Sequence, residues 1–239
     1  MRIGILGSGL MGGKLGTIFA RAGHDVVFSY SHSEAKLKRL VRDAGARASW
    51  GTPADAARNA DALLLAVHWS RVDDVLKKAG NLSGKIIVSC SLPMNADDTA
   101  LVVAHKSSGA EKLARKRPKA RVVSAFNTVP SEVLFAVFER AGRGTGDGGR
   151  GMGDGGSGRR EAGGGDRPSL VYCGDVAKAK KVAAQLIRDV GFEPLDAGPL
   201  RIARYTEPYA LLVAQLAYEG ERGPAMAYRF EWMAERSKP

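Results

Sequence analysis

Cysteine is nearly absent from this 239-residue chain. Its two thiols, Cys90 and Cys173, fall in what read as two different strands, which excludes a disulfide framework and makes a reducing cytoplasm the expected compartment. Histidine is also sparse. His24, His32, His68 and His105 show no His-x-x-x-His spacing and the cysteines no Cys-x-x-Cys, so no metal site is expected. No apolar run approaches the roughly 20 residues that cross a bilayer. The longest, 63–67 and 209–218, are core-sized, so no membrane partner is expected. The opening stretch Met1 to Leu6 runs into glycines without a small-residue cleavage site and reads as structure, not as a signal peptide. A Gly-x-Ser-x-Gly elbow, a lysine after a Walker-type glycine loop and an obvious Ser, His and Asp set are all missing. Their absence argues against triad hydrolysis and P-loop phosphoryl transfer.

Acidic residues fall short of basic ones, leaving a net charge of +11. Residues 105–121 hold Lys106, Lys112, Arg115, Lys116, Arg117, Lys119 and Arg121 against Glu111, so over half the excess is local. No aromatic side chain is interleaved there to stack bases, and a solvated basic helix face is the reading preferred over a nucleic-acid surface. Attraction of an anionic cofactor or substrate is the second.

What is present is a regular alternation. Arg2 to Leu6 reads as a strand, Leu10 to Ala22 as a helix and Asp25 to Tyr30 as a strand. A helix over 33–44, a short segment at 46–49 and a helix begun by Thr52-Pro53 follow. The runs 61–67, 85–89 and 121–125 are apolar throughout, as strands buried on both faces are. A strand at 169–173, a helix over 175–190 and a strand at 193–196 come later. The pattern predicts an α/β fold: a Rossmann-type doubly wound, mainly parallel sheet over 1–198, with a small C-terminal helical segment over 199–239. That segment reads as a long apolar helix from Leu200 to Tyr218 and a shorter one from Pro224 to Trp232, and it is the expected dimer interface. Residues 142–165 hold 13 glycines in 24 positions and read as a flexible surface insertion, because so little apolar material cannot build a core.

Gly7-Ser8-Gly9-Leu10-Met11-Gly12 is a G-x-G-x-x-G placed between a strand and a helix. There the first glycine makes the turn, the second admits a pyrophosphate to the backbone, and the third lets helix pack on sheet. The helix N-terminus adds N–H donors and the positive end of its dipole. The end of the second strand, where a carboxylate would hold the ribose hydroxyls of NAD, reads Tyr30, Ser31, His32 and Ser33. Hydroxyls and an imidazole, with Lys36 and Arg39 on the next helix, suit a 2′-phosphate instead, so NADP is expected. These serines are also natural helix caps.

Ligands of such sheets lie at the carboxyl ends of the strands. That rule nominates three loops: Val67-His68-Trp69, Ser91-Leu92-Pro93-Met94 and Asn127-Thr128-Val129-Pro130. His68 reads as polar lining, or as a phosphate donor or acid, since no carboxylate partner is visible for it. Trp69 reads as core or as a wall beside the cofactor, and Asn127 as a partner for a carboxamide or carbonyl, or for local backbone. No residue is assigned a catalytic role: if both reactants are ring cofactors, hydride transfer needs orientation and water exclusion more than an acid or base.

Together these blocks, with Gly23-His24-Asp25-Val26-Val27, the run Val122 to Pro130, Val171 to Asp175 and Pro194 to Leu200, resemble the F420-dependent NADP reductases. They are also similar to the reductase domain of the STEAP metalloreductases. The resemblance implies NADP pyrophosphate binding at Ser8 to Met11, 2′-phosphate binding around Tyr30 to Ser33, a homodimer built with the C-terminal helices, and hydride exchange with coenzyme F420 as co-substrate. A flavin or other small acceptor is the alternative within that class, and a non-catalytic NADP(H) sensor the alternative outside it.

Overall fold

The computed structural model describes residues 1–143 and 167–233. Within them lies one sheet of eight strands in the order β3-β2-β1-β4-β5-β6-β7-β8. Chain order runs β1 (Arg2–Leu6), α1 (Leu10–Arg21), β2 (Asp25–Ser29), α2 (Glu34–Ala44), β3 (Ala48–Trp50) and α3 (Pro53–Arg58). Then come β4 (Ala62–Leu65), α4 (Val72–Ala79), β5 (Ile86–Ser89), α5 (Gly109–Lys116), β6 (Arg121–Ser124) and α6 (Leu134–Arg143). The series closes with β7 (Ser169–Gly174), α7 (Ala177–Val190), β8 (Glu193–Asp196) and α8 (Ala203–Ala214). β1 to β6 are parallel; β7 runs antiparallel to β6 and parallel to β8. The order reverses between β1 and β4, which is the switch point where such sheets open a crevice.

Strand parity splits the core into two faces. Ile3, Ile5, Leu64 and Val88 point into one apolar cluster with Phe19, Phe28 and Phe126. Leu6, Leu63, Leu65 and Ile87 point into the other with Val75, Leu76 and Leu113. Every residue of β4 and β5 is buried, which is why those runs carry no polar alternation.

The sequence pattern misplaced one C-terminal element. Residues 200–219 are helical in three styles: a 3₁₀ turn (Leu200–Ile202), α8, and a π-helical turn (Gln215–Glu219). The helix expected from Pro224 to Trp232 is not formed. Its backbone bonds across to β7 instead: the Tyr228 carbonyl accepts from Ser169 N at 2.8 Å, and Phe230 N donates to Ser169 Oγ at 3.0 Å. Leu200 and Ala203 are buried in the second core cluster. All but the first two residues of the expected glycine-rich insertion lie outside the described residues. No described helix is long and apolar enough to cross a membrane.

Candidate functional site

The glycine loop is built as its spacing requires. Gly7 has φ +115, and a Cβ there would lie 2.4 Å from Ala66 O, against β4's exit. A Cβ on Gly12 would sit 1.9 Å from Gly7 O, so the loop closes only on glycine. Gly9 differs: its φ is −76 and an added Cβ would meet nothing within 4 Å. The fold places no steric demand for glycine there, and the space beside it is open to a ligand.

The start of α1 is equally bare. Ser33, Thr52 and Ser108 cap α2, α3 and α5 through their hydroxyls, and each of those helices carries an acid in its first turn. The α1 N-terminus has neither a side-chain cap nor an acid. Its first N–H groups and the roughly half positive charge of the helix end are left for an anion. Ser8 is not part of that cradle: its hydroxyl donates to Ser29 O at 2.8 Å, its N–H donates to Tyr30 O, and it is buried.

From this N-terminus a cavity of about 450 Å³ extends over the carboxyl ends of β4, β5 and β6. Gly9, Leu10 and Met11 form one wall, and Val67, His68, Leu92 and Asn127 line it from the three nominated loops. Ser91 ties two of these loops together by donating to Val67 O at 2.7 Å. Three nominated residues lie elsewhere. Trp69 packs on the second core cluster. Pro93 is buried with its ring against Gly109 at the start of α5. Thr128 is fully buried, its hydroxyl 2.7 Å from the Tyr228 phenol. Sequence reasoning missed the far wall, made by Ala210, Val213 and Ala214 of α8 with Tyr218 of the π-helical turn. Cys90 also lines the cavity, and burial pushes its thiol up to about 12, which favours the protonated form.

His68 does have a carboxylate beside it, contrary to the expectation from sequence. Its Nε2 faces Asp98 Oδ1 at 3.1 Å and Asn95 O at 3.2 Å, both acceptors, while Nδ1 accepts from Ser70 N at 3.2 Å. These partners occupy both ring nitrogens, with two acceptors facing Nε2 and a backbone donor at Nδ1. The carboxylate was hidden because it comes from a separate loop thirty residues on, where Asp98 is held at φ +54 by hydrogen bonds that Asn95 makes within the loop.

A second, smaller cavity of about 150 Å³ lies at the end of β2, lined by Tyr30, Ser31 and His32. Its other residues come from along α4 and the residue before it: Arg71, Asp74 and Lys78. Ser33 and Lys36 do not line it; Ser33 caps α2 by accepting from Lys36 N at 3.3 Å. The carboxylate missing from β2 is thus replaced in space by Asp74, but Asp74 is already engaged. It accepts from the Tyr30 hydroxyl at 2.7 Å and from Lys78 Nζ at 2.8 Å. The Lys78 and Tyr30 hydrogen bonds hold its carboxyl below the usual range, so the charge stays neutralised within the pocket. Burial and the Asp74 contact push the Tyr30 phenol up to about 12, and it remains a donor.

One buried acid fixes the far wall. Glu207 of α8 is 1% exposed, and its two oxygens accept from Gly109 N at 2.8 Å and Ala110 N at 3.0 Å at the start of α5. Beside it Arg204 grips Glu111 through two hydrogen bonds of 2.9 and 2.7 Å. Burial pushes the Glu207 carboxyl up to about 7, against the two N–H donors that pull it down.

Comparison with known proteins agrees with this geometry. Residues 2–93 match the family described as NADP oxidoreductase, coenzyme F420-dependent. Rat metalloreductase STEAP3 is 29% identical over 210 residues, which is 88% of this chain and 36% of that protein, so the chain spans about a third of that relative's length. Among solved structures, one described as an F420-dependent NADP-reductase from Arthrobacter sp. FB24 superposes with a TM-score of 0.76 at 21% identity, covering 97% of this chain and all of the other. A protein of undescribed activity from Sinorhizobium meliloti gives 0.67 at 24% identity, covering 97% and 96%. Over residues 2–93 the sequence is similar to the coenzyme F420-dependent NADP oxidoreductases, and over nearly the whole chain the fold is that of the Arthrobacter structure described as an F420-dependent NADP-reductase.

Proposed function

We propose that the protein is a reductase that moves a hydride between NADPH and a deazaflavin of the coenzyme F420 type across the larger cavity. The observation that carries this reading is the continuity of that cavity with the uncapped start of α1. A dinucleotide whose pyrophosphate rests on the N–H groups of α1 has its nicotinamide end directed toward Val67, Leu92 and Asn127. Bound NADPH would supply the hydride. The chain's own task is to hold two flat rings against each other and exclude water, which suits the apolar wall of Met11, Val129, Ala210 and Val213.

The smaller cavity supports NADP over NAD. Arg71, Lys78 and the donors of Tyr30, Ser31 and His32 surround a single neutralised carboxylate, an environment for a phosphate and not for a bare ribose diol. A flavin acceptor is the second reading, the alternative within the same class that the sequence left open. Steady-state oxidation of NADPH with F420, FMN, FAD or no acceptor under anaerobic conditions tests both. Turnover with F420 alone is expected; turnover with a flavin alone establishes the second reading, and tight NADPH binding with no turnover makes the protein a sensor.

The same reading has the protein act as a homodimer in a reducing cytoplasm. Leu212, Leu216, Trp232 and Met233 are exposed apolar side chains on or after α8, of the kind that a second copy would cover. Light scattering of the purified chain is expected to give twice the monomer mass; a monomer at working concentration would remove this part of the reading.

A further inference from the structure

β6 ends at Ser124 and the chain then turns away through Phe126, which sits at φ +66. β7 is therefore paired with β6 only through Cys173 and Gly174. Two alternate N–H groups at the other end of β7 would be left without partners, and one residue satisfies both. The Tyr228 carbonyl accepts from Ser169 N at 2.8 Å, and its phenolic oxygen accepts from Val171 N at 3.2 Å. The same oxygen shares a hydrogen bond of 2.7 Å with Thr128 Oγ1, in which either hydroxyl can donate.

Thr128 is wholly buried and follows Asn127 in the turn that reaches the larger cavity. The Asn127 amide nitrogen donates to Ser124 Oγ at 3.3 Å, which leaves the carboxamide oxygen as the group able to accept from a ligand. The Tyr228 ring also stands edge-on to Tyr209 of α8 at 5.4 Å, one residue before Ala210 on the opposite wall. Tyr228 thus braces both walls of the cavity from behind without lining it.

The geometry points to Tyr228 as a positioning residue for the nicotinamide: through Thr128 it holds Asn127 where the side-chain oxygen accepts from the coenzyme's carboxamide NH₂. This rests on the reading of the larger cavity as the nicotinamide pocket. It takes the ambiguous role of Asn127 further by assigning its side-chain oxygen to the carboxamide N–H of the coenzyme.

Binding alone tests the inference, without any acceptor. NADP⁺ and 2′-phospho-ADP-ribose, which lacks the nicotinamide, are titrated by calorimetry into the wild type, Tyr228→Phe, Asn127→Ala and the double variant, with thermal melts to establish that each is folded. Tyr228→Phe and Asn127→Ala are each expected to weaken NADP⁺ by about five- to tenfold. The fragment should bind all four proteins alike, and the double variant should be no weaker than Asn127→Ala. Equal losses for both ligands, or effects that multiply in the double variant, would show that Tyr228 serves only the fold. A wild type that binds fragment and NADP⁺ equally overturns the Asn127 contact while leaving dinucleotide binding intact. A wild type that binds neither removes the functional reading itself.

Discussion

The glycine-loop wall and the remaining walls of the larger cavity are made in different ways. The first is one continuous stretch, from β1 through the glycine loop and α1 to the end of β2, and its geometry depends on neighbours in the sequence. The second gathers Leu92, Asn127, Ala210 and Tyr218 from four distant places and is held by contacts far from the cavity, such as Glu207 on the start of α5 and Tyr228 on β7. A site of the first kind is fixed by backbone conformation; one of the second kind is fixed by packing and buried hydrogen bonds, and should respond to perturbations remote from any ligand.

The largest expected effect lies within the glycine loop and separates fold from binding. Gly12→Ala drives a Cβ into the Gly7 carbonyl and should destabilise the protein by about 3 kcal/mol or more, read as a fall in Tm. Gly9→Ala has open space around it and should leave Tm unchanged while weakening NADPH at least about tenfold. Equal behaviour of the two variants would erase the distinction between closing glycine and cradling glycine.

Next is the seat of the far wall. The Glu207 pKa is raised from 4.5 to about 7 on folding, so the fold favours its protonated form. That contribution is complete below about pH 4.5 and is lost as pH rises through about 7, an effect on the order of 3 kcal/mol. Denaturant titrations across this range should show the decline in the wild type and a flatter profile in Glu207→Gln. A wild-type profile that rises over the same interval contradicts the burial argument.

The pocket at Tyr30 gives a smaller effect of another kind. Arg71→Ala is expected to weaken NADPH by about 10- to 100-fold and NADH hardly at all, consistent with one lost charge-assisted contact. Lys36→Ala should change neither, because that side chain does not line the pocket. The reverse ranking would return the 2′-phosphate to α2. Smallest is Ser33→Ala, expected to cost about 1 kcal/mol of stability as a lost helix cap, with coenzyme preference unchanged.

The same contrast governs how much could be read from the sequence. The strand, glycine and helix arrangement was legible because Gly7, Gly9 and Gly12 act over six residues and the buried strands β4 and β5 carry an unbroken apolar signature. Arg71, Asp74 and Lys78 lie at helical spacing along α4, and that spacing is visible, but nothing local says that this side of the helix meets the end of β2. Asp98 is thirty residues from His68, and only the folded loop brings them together. The 224–232 segment misled because its apolar residues look helical, whereas the decisive factor is the incomplete pairing of β7 with β6.

The most direct test of the central claim is a single turnover with NADPH deuterated at the transferred position of the nicotinamide, F420 as acceptor, and mass analysis of the reduced deazaflavin. Carbon-bound deuterium does not exchange with water, so direct passage between rings held in one cavity predicts a product carrying one deuterium. Reduced product without the label, or NADPH bound tightly and never oxidised, would contradict the account.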